Sequence, residues 1–361
     1  MSEPDTLTAP LRPWGWDDAR QAAYEESGSE LPPARVVAQH RGEYVLQAPW
    51  GRAIGVAPGR MQHRAERARE MPAVGDWVLA EPASDGPATI REILPRRSEF
   101  VRRKAGTEDG EQVVAANVNT AFLMTSLDSN LNPRRLERYL VAAWDSGATP
   151  VVVLTKSDLE GDLDAIIEQI EGVAAGAEVI AVSSVDGAGL DRLRRYLQPG
   201  ETVALLGSSG VGKSTLVNTL AGEDLLPTQE VREIDNKGRH TTTHREIFLM
   251  HDGALVLDTP GMRELGLVEA DDGLEETFDD VAALVERCRF GDCRHDSEPC
   301  CAVRDALRQG VLSPERWESY AKLQKEAAYE VRRRDVGAAQ AEKKKWKQIH
   351  KELRKLPKKR Q

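Results

Sequence analysis

The sequence predicts a doubly wound α/β domain of the P-loop type, set between a small β-barrel and a helical segment that can hold a metal. Three observations predict it. Between 112 and 270, near-continuous apolar strands alternate with amphipathic helical stretches, the pattern of a parallel sheet covered on both faces. A glycine-rich signature, Gly207-Ser208-Ser209-Gly210-Val211-Gly212-Lys213-Ser214, joins one such strand to one such helix. All four cysteines fall between 288 and 301, beside a histidine.

The chain has 361 residues, room for two or three domains. No stretch approaches the ~20 consecutive apolar residues of a membrane helix, so no membrane partner is expected. The opening residues lack a charged-then-apolar leader, and a cytoplasmic protein is expected. In that compartment clustered cysteines argue for metal rather than disulfides. The net charge of −10 is unevenly spread. Residues 342–361 carry ten Lys/Arg against Glu342 and Glu352, a +8 segment that leaves −18 on the rest.

Residues 1–33 read as a polar tail ending at Leu31-Pro32-Pro33; Trp14 and Trp16 either dock on a neighbouring domain or ride on a mobile arm. From 34 to 105 come five short strands, at 35–39, 43–47, 51–57, 74–81 and 88–94, separated by Gly, Pro and Asp turn signals. Five strands in about sixty residues suit a small barrel, and the OB-fold is the commonest of these. A basic run, Arg96-Arg97 and Arg102-Arg103-Lys104, offers a path for an RNA backbone. In the α/β region, strands are expected at 121–127, 150–155, 178–184, 202–208 and 254–260. A helix over 132–147 has Asn132 as cap, Pro133 at its first position and Gly147 at its end. Residues 271–341 are helical around the cysteines, and 342–361 form the basic tail.

The glycines of 207–214 let the backbone wrap phosphates so that successive N–H groups and a helix N-terminus face negative charge. Lys213 should bridge the β- and γ-phosphates, the Ser214 hydroxyl should bind Mg²⁺, and Thr215 should lie near the α-phosphate. Thr155-Lys156-Ser157-Asp158 closes the strand PVVVL and resembles the guanine-reading N-K-x-D element. Asp158 would accept from guanine N1–H and the 2-amino group, and the Lys156 stem would cover the base. Thr155 replaces the usual Asn, removing an amide but keeping a hydroxyl, which should tune affinity rather than identity. Ser183-Ser184 resembles the loop whose N–H meets guanine O6. Asp258-Thr259-Pro260-Gly261 resembles D-x-x-G: Asp258 would hold Mg²⁺ through water, and the Gly261 N–H would sense the γ-phosphate. Between these lies Gly238-Arg239-His240-Thr241-Thr242-Thr243, suited to a switch loop, with Thr242 the favoured magnesium ligand. Met262 occupies the position after D-x-x-G and cannot orient water, which leaves His240 as the candidate. The base-reading motifs precede the phosphate motifs, so the order is circularly permuted.

Cys288-x₄-Cys293-x-His295-x₅-Cys301 offers three thiolates and an imidazole, the donor set of a closed structural zinc site with one ion per chain. Cys300 could exchange with Cys301. The segment is poor in apolar residues, so a metal would have to organise it.

Together the permuted order, G-R-H-T-T-T at 238–243, D-T-P-G at 258–261 and the cysteine–histidine spacing resemble the ribosome small subunit-dependent GTPase A family, also called YjeQ or RsgA, over roughly 35–330. The resemblance implies an OB-fold, a permuted GTPase domain and a zinc domain. It implies GTP hydrolysis in late maturation of the small (30S) ribosomal subunit, stimulated by that subunit, with barrel and zinc module holding rRNA. A monomer that cycles between GTP and GDP follows. The competing expectation is an RNA-binding placeholder in which nucleotide is structural.

Overall fold

The computed structural model describes residues 4–40, 42–59, 61, 68–103, 111–128, 131–159, 161–174, 176–226, 245–258 and 271–329. Strands β1 (Pro33–His40), β2 (Glu43–Ala48), β3 (Gly51–Val56), β4 (Trp77–Glu81) and β5 (Ala88–Ile93) pair in the order β1-β2-β3-β5-β4. A further β1–β4 ladder, Pro33↔Leu79 to Arg35↔Trp77, closes the barrel. The β3–β5 pair is parallel and the others antiparallel, the connectivity of the five-stranded barrel that the strand spacing predicts. Register shifts between Val36 and Ala38 and between Leu79 and Ala80 supply the coiling that closure requires.

The N-terminal segment is not a tail. Helix α1 (Pro4–Thr8), a 3₁₀ turn (Ala9–Trp14) and helix α2 (Asp18–Glu26) lie against the barrel. The Asp17 carboxylate caps α2 by accepting from the Arg20 N–H at 2.8 Å. Leu11 and Trp16 are buried with Trp77, Leu79 and Leu94, and the Trp16 ring meets Trp77 edge-on at 4.8 Å. Burial of Leu11 alone contributes roughly 1.5–3 kcal/mol.

A hairpin of β6 (Glu99–Arg103) and β7 (Glu111–Ala116) leads into the α/β domain. Two residues of the basic run, Arg96 and Arg97, are built into this joint. Arg96 grips the fully buried Asp76 through two 2.8 Å hydrogen bonds and Glu99 through a third at 2.9 Å. Arg97 holds both oxygens of Asp17 at 2.6 Å, so both arginines already have carboxylate partners. Gly75 closes the joint: its φ of +97° and the Ala116 carbonyl, 1.9 Å from where a Cβ would lie, allow no other residue.

In the α/β domain, β8 (Thr120–Ser126), β9 (Thr149–Thr155), β10 (Glu178–Val182), β11 (Thr202–Gly207), β12 (Arg245–Leu249) and β13 (Leu255–Asp258) stand in the order β10-β9-β8-β11-β13-β12. All neighbours are parallel except β12, which runs antiparallel to β13. The period-two alternation of strand side chains sets the layers. Leu123, Val152 and Leu154 pack with helices α3 (Pro133–Ser146) and α4 (Leu163–Glu171) on one face. Phe122, Val151 and Val153 pack with α5 (Leu190–Arg194) and α6 (Lys213–Ala221) on the other. Strand β12, which the sequence pattern did not disclose, also pairs with barrel strand β1 at Ala38↔Glu246 and Gln39↔Arg245. One eleven-stranded sheet therefore runs from the α/β domain into the barrel.

Helices α7 (Asp271–Thr277), α8 (Asp279–Glu286), α9 (Ala302–Gln309) and α10, covering 314–329, form the C-terminal module. It rests on the outer side of α3. Leu136 and Leu140 of α3 face the sheet, while Val141 joins Leu274, Phe278 and Val281 of the module. Glu137, four residues before Val141 and so on the same helix face, is buried against Arg316, which donates to it at 2.9 Å.

Candidate functional site

Parallel register brings the separated motifs to one edge of the sheet. Gly207 at the end of β11 pairs with Met124 of β8, and Ser126 of β8 pairs with Thr155 at the end of β9. Val182 of β10 in turn pairs with Thr155. The loops after β8, β9, β10 and β11 thus emerge side by side at the carboxyl ends of the strands, where open α/β sheets bind ligands. Because strand order in space fixes this, the permuted order in the chain does not disturb it.

The loop 208–212 turns on left-handed glycines, Gly210 at φ +77° and Gly212 at +93°. A Cβ on Gly207 would stand 2.8 Å from the Met124 carbonyl oxygen. Ser208, Gly212, Lys213 and Ser214 are half-buried, Val211 is buried, and Ser209, Gly210 and Thr215 are exposed. The Lys213 ammonium donates to the carbonyls of Gly207 (2.9 Å) and Ser208 (2.6 Å), folded over the loop. It lies where an anion can draw it off those neutral acceptors.

Thr155 is 5% exposed and its hydroxyl donates to the Val211 carbonyl at 2.7 Å. The residue that departs from the guanine-motif pattern therefore ties the loop after β9 to the loop after β11. Lys156 takes a left-handed φ of +60°, and its ammonium meets the Asp128 carboxylate at 2.7 Å. Asp128 also accepts from the Ser126 hydroxyl at 2.8 Å. Sequence reading overlooked Asp128; its place two residues beyond a strand end, level with the base motif, was the available signal. Ser157 is half-buried and Asp158 exposed in a 3₁₀ turn (Ser157–Leu159), with Leu159 presenting an apolar surface beside it. Ser183 is fully buried and its hydroxyl accepts from the N–H groups of Val185 (3.1 Å) and Asp186 (3.3 Å), shaping the turn that carries the half-buried Ser184. Backbone donation from Ala188, with help from Ser183, holds the Asp186 carboxyl below the usual range.

Asp258 ends β13, opposite Glu246 of β12. His240, Thr242, Gly261 and Met262, with the remaining switch residues and the basic tail, lie outside the described residues.

The second constellation joins Cys288, Cys293, His295 and Cys301, whose donor atoms all lie within 4.8 Å of one another. Cys288 Sγ stands 3.5 Å from His295 Nδ1 and 3.9 Å from Cys301 Sγ, and Cys301 Sγ is 3.4 Å from the same nitrogen. A tetrahedral ion with metal–sulfur bonds of ~2.3 Å and a metal–nitrogen bond of ~2.0 Å separates sulfurs by about 3.8 Å and sulfur from nitrogen by about 3.5 Å. The pocket therefore fits a four-coordinate metal. Cys300 is exposed and apart from the cluster, whereas Cys301 is buried, so the two do not exchange. His295 and Cys300 both take left-handed φ values, +62° and +58°, which are uncommon for residues with a Cβ. Against desolvation, which raises it, the N–H groups of Val303 and Ala302 at the start of α9 hold the Cys288 thiol low. Desolvation and its two neighbouring thiols push Cys293 up to about 11, although the His295 N–H opposes this. A dication at the centre would reverse that effect. Glu298 clasps the loop by accepting from the N–H groups of Arg294 (3.0 Å), Asp296 (3.0 Å) and Ser297 (3.1 Å). The Trp317 ring packs edge-on against His295 at 5.2 Å.

Comparison with known proteins agrees with this geometry. Residues 93–268 match the family model described as RsgA GTPase. The chain is 47% identical over 347 residues to the small ribosomal subunit biogenesis GTPase RsgA of Opitutus terrae, covering 93% of this chain and 95% of that one. The crystal structure of YjeQ from Thermotoga maritima superposes with a TM-score of 0.60 at 25% identity, covering 82% of this chain and 98% of that one. That of YloQ, a circularly permuted GTPase, shares the fold with a TM-score of 0.56 at 24% identity, over 83% and 96% of the two chains. With its glycine-rich signature placed behind the motifs at 155–158 and 183–184 and a Cys₃His cluster on the module that follows, the chain belongs to the RsgA family of circularly permuted GTPases.

Proposed function

We propose that this protein hydrolyses GTP to GDP and phosphate as a biogenesis factor of the small ribosomal subunit, which it binds through rRNA and leaves after hydrolysis. The observation that carries the reading is the convergence of three loops at one sheet edge, tied by the Thr155–Val211 hydrogen bond. The relatives' names supply the ribosomal partner. In this reading Gly207–Lys213 cradle the phosphates and Lys213 exchanges its two carbonyl acceptors for the β- and γ-phosphates. Asp158 reads guanine, with Lys156, Ser157, Ser183 and Ser184 around the base and Thr215 near the α-phosphate. Ser214, Asp258 and Thr242 would hold Mg²⁺, which neutralises developing phosphate charge. The Gly261 N–H would meet the γ-phosphate and His240 would orient the attacking water. The Cys₃His cluster would take one zinc, whose part is structural because its four protein ligands leave no open position. The protein would act as a monomer in the cytoplasm, and its basic tail would lie along rRNA phosphates.

Single-turnover GTP hydrolysis with and without small subunits tests this. Marked stimulation by the subunit, loss of turnover in His240→Ala with GTP binding retained, and preference for GTP over ATP are expected. Equal affinity for ATP and GTP would remove the base-reading assignment. Turnover indifferent to the subunit would favour the placeholder role instead.

A further inference from the structure

A cavity of about 190 Å³ lies where the N-terminal segment, barrel strand β1 and the start of β11 meet. Its lining carries Arg12, Arg20, Arg35 and Arg97 against the carboxylates of Asp17 and Glu201, with Asn117 and Thr202 between them. It is at the opposite end of β11 from the phosphate loop, roughly 17 Å away at ~3.3 Å per residue.

Its charge balance is unusual. Arg20 and Arg35 are only 4% and 2% exposed. Arg35 donates to the Thr202 hydroxyl (2.7 Å), the Asn117 carbonyl (3.4 Å) and the Trp14 carbonyl. Arg20 donates to the Pro95 carbonyl (2.7 Å) and the Asn117 side-chain oxygen (2.6 Å). Every one of these acceptors is neutral. Among the described residues neither arginine has a carboxylate within ion-pair distance: Asp17 is taken by Arg97, and Asp76 by Arg96. Arg35 Nε is buried with no acceptor among the described residues. Desolvation, then the nearby Arg20 charge, push the Arg35 guanidinium down to about 9, and desolvation chiefly pushes Arg20 to about 10. Both therefore remain charged at neutral pH. Carbonyl dipoles satisfy hydrogen bonds but do not cancel two like charges taken out of water. A tetrahedral oxyanion would do so, and arginine forks match its geometry.

We propose that this cavity binds a phosphate group, with Arg20 and Arg35 as its cations and the Thr202 hydroxyl beside them. A phosphate there would bridge the N-terminal cover, the barrel and the strand that leads to the phosphate loop. It could come from free phosphate or from an RNA backbone, and the chemistry of recognition is the same.

The test uses full-length protein saturated with a non-hydrolysable GTP analogue and Mg²⁺, so that the β- and γ-phosphate positions are both filled, titrated calorimetrically with inorganic phosphate at physiological ionic strength. One saturable site per chain is expected. Arg20→Gln should weaken it at least tenfold and Thr202→Val should weaken it severalfold, with affinity for the nucleotide analogue unchanged within twofold in both. Saturable binding that a short single-stranded RNA displaces identifies backbone phosphate as the source; binding that RNA leaves untouched identifies free phosphate. Absence of saturable phosphate binding to the wild-type nucleotide-analogue complex would overturn the proposal. So would equal phosphate affinity in Arg20→Gln.

Discussion

Replacing Arg316 by Met should loosen the C-terminal module from the GTPase domain. Arg316 is 7% exposed, donates to Glu137 at 2.9 Å, to Asp280 at 2.8 Å and to the Thr277 carbonyl at 2.8 Å, and lies 4.4 Å over the Phe278 ring. Methionine restores much of the packing but leaves Glu137, 2% exposed, as a buried charge whose remaining partner is the Ser319 hydroxyl. Breaking one side of such a pair costs about 3–5 kcal/mol. That cost should fall on the docking of 271–329 rather than on the sheet, because Val141 and Glu137 meet the module on the side of α3 away from its sheet-facing residues. Native-state hydrogen exchange reads it directly: amides of α7, α8 and α10 should exchange through an opening about a hundredfold or more easier, while β8 to β11 stay protected. The double variant Glu137→Met/Arg316→Met removes both charges and should recover most of the loss. A single-variant cost below about 1 kcal/mol, or a double variant whose costs simply add, would refute the claim that this pair fastens the module.

Thr155→Val keeps the shape but deletes the hydrogen bond to Val211, so GTP affinity should fall about five- to tenfold, the worth of roughly 1 kcal/mol; unchanged binding by calorimetry would show that the two loops do not depend on this tie. Cys301→Ser should lose the bound metal in elemental analysis while Cys300→Ser retains one ion per chain, because only Cys301 lies in the cluster. For acid stability, the hydrogen-bonded Arg138 holds the Glu326 carboxyl below its ordinary value of 4.5. A depressed carboxylate stabilises the fold above its unfolded value, and that contribution disappears as pH falls through the folded one. The stability gap between wild type and Glu326→Gln should therefore be present at pH 7, amount to no more than about 1 kcal/mol for this part-exposed pair, and shrink below pH 4.5 in urea titrations.

The legible parts of this protein were those in which chemistry is written at short spacing. A phosphate loop needs closely spaced glycines and a lysine, a guanine reader needs its aspartate three positions from the strand end, and a chelate needs soft ligands a few residues apart. Each could be seen at 207–214, 155–158 and 288–301 without coordinates. The barrel strands were visible for the same reason, since alternation and turn residues are local. The N-terminal segment was not, because its burial depends on Trp16 meeting Trp77, sixty-one positions away. Nor could the basic run betray that Arg96 and Arg97 are already spent on Asp76 and Asp17.

The sequence by itself determined the reaction class, the permuted order and the metal donor set, because those rest on the identity of neighbouring groups. Tertiary structure alone decided that the permuted motifs share one edge, through parallel registers such as Gly207↔Met124 and Ser126↔Thr155. It alone decided that β12 joins the barrel sheet, that Cys301 rather than Cys300 joins the Cys₃His cluster, and that Glu137 finds Arg316 across 179 positions of chain. Such pairings leave no periodicity behind, for they depend on which surfaces remain to be covered once the local elements have formed.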